Sequence, residues 1–98
     1  MGLMKMITAV VRPFKLDDLR KVIAQLGVQG VTVTEVQESG IGPRIRIEIA
    51  VDDSIAEPVA EAIANVSRTG RIGDGKIFIG NLEQAFRIRT GETGTAAT

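Results

Sequence analysis

The residues best suited to chemistry are Thr69-Gly70-Arg71-Ile72-Gly73-Asp74-Gly75-Lys76-Ile77-Phe78, followed shortly by Arg87-Ile88-Arg89. Gly70, Gly73 and Gly75 let the backbone turn sharply and aim its amide hydrogens at one spot, because positive-φ conformations cost little without a Cβ. Such a spot prefers an anion. Arg71, Lys76, Arg87 and Arg89 bring fixed positive charge to it, and Arg87 and Arg89, two apart on an expected strand, project from one face. The chemistry implied is polyphosphate binding. Gly-Asp-Gly is equally what a hairpin turn with solvated basic neighbours looks like, so these ten residues alone leave both readings open. Gly70 and Gly75-Lys76 also approach the Walker A pattern. However, Ile77 stands where a Ser or Thr would hold magnesium, and Ile77-Phe78-Ile79 reads as a strand where a helix is required. Those two departures argue against a P-loop NTPase.

The composition leaves enzymatic chemistry few tools. There is no cysteine, which removes thiolate catalysis, disulfides and cysteine metal sites, and no histidine, the commonest general base and metal ligand. Lysine plus arginine equals aspartate plus glutamate, 12 of each, so no global field attracts nucleic acid or an anionic membrane. The 98 residues make one domain, spanning 1–98, small enough that oligomerisation would help to cover its surface. No apolar run is long enough to cross a bilayer and no signal peptide is evident, so the expectation is a cytoplasmic chain without membrane insertion. Met1-Gly2 lacks the Ser or Thr of a myristoylation signal, since position six is Met6, and Met1-Gly2-Leu3 reads as an extension before Met4.

The elements that must position the glycine segment follow from periodicity. Lys5 to Val11 is rich in β-branched and apolar residues and stops at Arg12-Pro13, as a buried strand ended by proline would. Leu16, Leu19, Val22-Ile23 and Leu26 recur at helical spacing, with Asp17-Asp18 in the first turn and Gly27 as the stop. Val31 to Val36 has strand propensity, and Arg44 to Val51 alternates, with Ile45, Ile47, Ile49 and Val51 on the core face and Arg44, Arg46, Glu48 and Ala50 on the other. The short connection Gln37 to Pro43 makes these two an antiparallel hairpin. Ser54-Ile55-Ala56-Glu57 reads as a capping box ahead of a second helix through Val59, Ala62-Ile63 and Val66, closed by Gly70. Pro58 would push the start of that helix a residue or two later. Ile77-Phe78-Ile79 is a short strand, Ala85 to Arg89 a further extended piece, and 91–98 a tail with little to bury, expected to be mobile.

Strand, helix, strand, strand, helix, strand is the split βαβ order. The predicted fold is therefore α+β, ferredoxin-like βαββαβ with an additional short C-terminal strand. Its helices cover one sheet face only. If the other carries apolar residues such as Val33 or Ile79, it must pack against another chain.

Four segments in order resemble the PII signal-transduction proteins over almost the whole chain. They are Val11-Arg12-Pro13-Phe14-Lys15-Leu16-Asp17-Asp18-Leu19, Gly30 to Val36, Thr69 to Phe78, and Arg87-Ile88-Arg89-Thr90-Gly91-Glu92. The resemblance implies a homotrimer with sheets inward and adenine nucleotide, ATP or ADP, with magnesium accompanying ATP, in the clefts between subunits. It assigns phosphate contacts to Gly73, Asp74, Gly75 and Lys76, with Gly40 beside them. Arg87 and Arg89 reach across from the neighbouring subunit, and Thr32 and the neighbourhood of Ala50 meet the adenine. Arg44 falls where the family has a lysine for 2-oxoglutarate, and arginine there keeps the charge but changes reach and geometry.

Two departures from the family stand out. Glu38 replaces the usual glycine after the second strand and brings negative charge towards the expected phosphates, which would weaken ATP more than ADP or AMP. The long T-loop that grips regulatory target proteins is missing, since only Ile41-Gly42-Pro43 stands between Gly40 and Arg44, and there is no tyrosine to modify. Nucleotide binding is expected to persist, with 2-oxoglutarate response and partner switching reduced. Two alternatives remain at this stage. One is a structural trimer with a disabled cleft, which Glu38 favours. The other is a small phosphohydrolase using Arg44 or Arg46 as a clamp and Asp74 to assist water, although alternating strand arginines are more often solvated or paired with a residue such as Glu48. RNA binding is disfavoured because Phe14, Phe78 and Phe86 are scattered and form no stacking platform.

Overall fold

Alternation along the strands decides the architecture. The computed structural model describes residues 3–28 and 30–98, and the reading of Met1-Gly2 as part of a leading extension lies outside them. Strand β1 (Met4–Val11) is central, with β3 (Gly42–Asp52) on one side and β4 (Gly75–Leu82) on the other; β2 (Thr32–Glu38) pairs with the outer edge of β3. All three pairings are antiparallel and the order is β2-β3-β1-β4, the ferredoxin-like arrangement expected from the sequence. Helix α1 (Leu16–Gln25) follows a short 3-10 turn at Pro13–Lys15, and α2 (Asp53–Ser67) follows β3 directly.

The register places Ile7 opposite Ile49, Ala9 opposite Ile47 and Val11 opposite Ile45 on one face of the sheet. There they meet Leu19 and Ile23 of α1 and Ala56, Val59 and Ile63 of α2, all buried in one core. A fully buried aliphatic side chain of this size contributes about 1.5–3 kcal/mol, so this single layer of isoleucines and valines carries most of the fold's cohesion.

Several expectations change in detail. The cap of α2 is Asp52, whose side chain accepts from the Ser54 amide at 3.0 Å and from the Ser54 hydroxyl, so the capping box begun at Ser54 is not the device used. The helix runs from Asp53 straight through Pro58 and is not delayed by it. Proline beyond the first turn removes one internal bond, and the burial of Ala56, Val59 and Ile63 holds the helix regardless. The hairpin is tighter than read: Glu38 pairs with Gly42, leaving Ser39-Gly40-Ile41 as the turn, closed by the Ile41 amide on the Glu38 carbonyl at 3.0 Å.

Val33 and Ile79 do not lie on the uncovered face. Val33 pairs with Ile47 and Ile79 with Ile7, so both point to the helix side. The open face instead carries Met6, Val10, Val36, Phe78 and Leu82 among Thr8, Arg44, Arg46, Glu48 and Lys76. The additional C-terminal strand reduces to one isolated bridge between Phe86 and Thr93, because Ile88 to Thr90 form a turn and Gly94–Ala97 a 3-10 helix. Among the described residues no helix is long and apolar enough to cross a membrane.

Candidate functional site

The glycine segment leaves α2 at Arg68 and enters β4 at Gly75, and one side chain organises the passage. The Asp74 carboxylate accepts from the Thr69 amide at 2.8 Å, the Gly70 amide at 3.0 Å, the Thr69 hydroxyl, and Arg12 Nε at 3.4 Å. The Thr69 hydroxyl, then the Thr69 amide, hold its carboxyl down at about 2 against the opposing effect of desolvation, with the Gly70 amide and Arg12 adding smaller contributions in the lowering direction. A carboxylate so engaged is a loop brace. It has no lone pair left aimed at water for general-base work, and Arg46 lies 3.4 Å from Glu48 in an ion pair, so the phosphohydrolase constellation is not assembled.

Two arginines strap the loop from the sheet. Arg12, at the end of β1, donates through Nη2 to the Ile72 carbonyl at 2.9 Å. Arg44, near the start of β3, donates through Nη2 to the Gly73 carbonyl at 3.3 Å and through Nη1 to the Pro43 carbonyl at 2.7 Å. With the carbonyls tied back, the amides of Ile72 and Gly73 find no acceptor among the described residues. That is the donor array an oxyanion needs. Gly73 and Gly75 both have positive φ, at 98° and 119°. A Cβ on Gly75 would sit 2.1 Å from the Val10 carbonyl oxygen, and one on Gly73 would lie 3.1 Å from the Arg44 guanidinium. Lys76 then emerges on the open face opposite Val10, exposed and without an ion-pair partner among the described residues.

The remaining predicted residues gather elsewhere. Thr32, Ala50 and Arg87 line one cleft of about 570 Å³ with Met6, Glu48 and Thr98. Because Ala50 pairs with Met6 while Gly75 pairs with Val11, this group sits five residues along β1 from the glycine loop, about 16 Å at the rise of a strand. Arg87 and Arg89 are not two apart on a strand. Arg87 precedes the turn, its Nε 3.5 Å from Glu92 and its Nη2 donating to the Thr98 carbonyl at 3.4 Å, while Arg89 lies within the turn, exposed. Gly40 sits at the tip of the β2–β3 hairpin, beyond the Glu38–Gly42 pair.

The predicted binding residues therefore fall into two groups at opposite ends of the open sheet face. Arg12 has no role that its local sequence pattern assigns. The only signal available was its position at the end of a strand that must pass the loop. Glu48 figures in the sequence only as a pairing partner for the strand arginines, whereas the fold also places it in the cleft with Thr32 and Ala50. Among the described residues no three or more aspartate or glutamate side chains gather in a way that could hold a metal ion.

The family described as Nitrogen regulatory protein P-II matches residues 4–92. The nitrogen regulatory protein P-II of Rhizobium meliloti (strain 1021) is 43% identical over an alignment of 111 residues that covers 96% of this chain and 99% of the relative. That of Cereibacter sphaeroides is 44% identical over the same length and coverage. Both alignments exceed the 98 residues here, so the relatives carry residues without a counterpart in this chain. A solved B. subtilis GlnK–ATP complex is similar with a TM-score of 0.90 at 31% sequence identity, covering 98% of this chain and 96% of that one.

Proposed function

Since the chain belongs to the nitrogen regulatory protein P-II family, we propose that it is a signal-transduction regulator whose homotrimer binds ATP or ADP in the clefts between subunits. Proteins of this family are regulatory signal transducers rather than enzymes, and the hydrolase alternative is set aside with that membership.

The observation that carries the reading is the separation of the two groups. The strapped glycine loop with Lys76 and the Arg87 guanidinium are both assigned to the phosphates, yet in one protomer Arg87 lies with Thr32 and Ala50, about 16 Å along β1 from the loop on the same uncovered face, farther than one triphosphate reaches. Copies packed face to face bring the loop of one against the arginines of the next. Gly73, Gly75 and Lys76 then meet the phosphates, Thr32 and Ala50 the adenine, and Arg87 and Arg89 close the site from the neighbour, with Gly40 at its edge. Asp74 serves by bracing the loop, so magnesium arriving with ATP is held by the phosphates and water.

We attribute the extra positions of the relatives to a T-loop replaced here by Ser39-Gly40-Ile41, which reduces 2-oxoglutarate response and the switching of regulatory target proteins. Arg44 is consistent with this reduction, since its guanidinium is taken up by the Gly73 and Pro43 carbonyls. The location is cytoplasmic. Calorimetric titration with ATP, ADP and AMP, with the mass measured by light scattering, tests the reading. Saturable heat at one site per subunit in a trimer is expected, and no heat with any of the three overturns it. A disabled cleft is the second reading, favoured by Glu38 at the end of β2; tight binding recovered only in Glu38→Gly would select it.

A further inference from the structure

Arg87 is already occupied. Its Nε lies 3.5 Å from the Glu92 carboxylate and its Nη2 donates to the Thr98 carbonyl, so two of the edges a phosphate would use are taken by the segment that follows. Glu92 is itself fixed by its surroundings. It accepts from the Thr90 hydroxyl at 2.9 Å, its amide donates back to that hydroxyl at 3.3 Å, and its carbonyl accepts the Arg87 amide at 2.9 Å. Ala97 and Thr98 meanwhile form part of the wall of the cleft that holds Thr32 and Ala50.

We propose that Glu92 is a built-in competitor for the ligand phosphates on Arg87, and that it sets how strongly the site distinguishes ATP from ADP and AMP. The inference rests on Arg87 being a phosphate contact. A guanidinium shared with a carboxylate offers less field to an incoming anion, and the penalty grows with the number of negative charges the anion carries. Both side chains of the pair are about half exposed, so the competition is graded and screened by salt. Release of Arg87 frees the Thr98 carbonyl as well, which couples occupancy of the cleft to the position of the 94–98 segment.

The test is Glu92→Gln in the full chain, which keeps size and the acceptor for Thr90 while removing the charge. Glu61→Gln, on the exposed side of α2, makes the same change of net charge on the other side of the sheet. Glu92→Gln is expected to tighten ATP by roughly 2- to 5-fold, ADP by less and AMP least, with the gain shrinking in high salt, and Glu61→Gln to change none of them. Unchanged or weaker ATP binding in Glu92→Gln overturns the proposal and leaves the nucleotide reading standing. If the wild-type chain binds no nucleotide, that reading fails separately, and the nitrogen-15 resonance of Arg87 Nε decides the pair in free protein. It should shift in Glu92→Gln and stay in Glu61→Gln, and no shift in either refutes competition by Glu92.

Discussion

The Asp74 carboxylate accepts the Thr69 amide at 2.8 Å, so the glycine turn is closed by a side chain five residues downstream of the group it satisfies. Because the Thr69 hydroxyl and amide are the main causes of its lowered pKa, the carboxyl should titrate near 2, against 3.8 in the unfolded chain. A depressed carboxyl contributes its stabilisation fully above pH 3.8 and loses it as pH falls through about 2. The loop is therefore expected to stay closed at neutral and mildly acidic pH and to loosen only below the usual carboxylate range. Carbon-13 titration of Asp74 measures the midpoint, and in Thr69→Val it should climb back towards 3.8; an unmoved midpoint would contradict the brace.

Gly75 is the point at which the loop cannot tolerate a side chain. A Cβ there would lie 2.1 Å from a backbone oxygen of β1, at a φ of 119°. Relief requires β4 to move away from β1, which breaks the start of their ladder. Gly75→Ala should cost about 3 kcal/mol or more by overlap and backbone strain together. Gly70→Ala, where φ is also positive but nothing lies within 4 Å, should cost only about 1–2 kcal/mol. Urea denaturation of the two variants separates steric contact from conformation, and equal losses would mean that the Val10 carbonyl yields freely.

The strands, helices and their order were legible because each rests on a local period. Ile45, Ile47, Ile49 and Val51 mark one face by alternation, and Leu19 and Ile23 mark the buried stripe of α1. What was not legible depends on which strand lies opposite which. Val33 and Ile79 read as candidates for the uncovered face until pairing with Ile47 and Ile7 assigned them to the core side. The resemblance assigns Asp74 to the phosphates, and only the fold brings Thr69 and Arg12 to its oxygens. The extended reading of Ala85 to Arg89 failed because no strand pairs with it: Phe86 meets Thr93 in an isolated bridge and the chain turns at Ile88 to Thr90, which local composition does not reveal.

Arg12 is expected to matter to ligand binding without touching the ligand. Its guanidinium spans the Ile72 carbonyl and the Asp74 carboxylate, about one fifth of each paired side chain being exposed, and an ammonium cannot reach both with fixed geometry. Both Arg12→Ala and Arg12→Lys should therefore weaken nucleotide binding by about 5- to 10-fold, the scale of one ordinary hydrogen bond lost indirectly through a loosened loop. Calorimetry checks this, and full rescue by lysine would show that only charge is needed.

Phe78 tests whether the uncovered face is where copies meet. It is 56% exposed opposite Thr8, outside the core, and flanked on the same face by Val10, Met6 and Leu82. An aspartate at that position leaves the packing of Ile7, Ile47 and Val59 untouched, so the circular dichroism of Phe78→Asp should match the parent. Between two facing sheets, however, a buried unpaired carboxylate costs several kcal/mol, enough to separate the copies. Light scattering should then report a folded monomer. Because the glycine loop and the Thr32, Ala50 and Arg87 group lie at opposite ends of one protomer, nucleotide binding should vanish with the assembly. A variant that is monomeric yet binds ATP as the parent does would mean that one chain completes the site alone, and the division into two half-sites would be wrong.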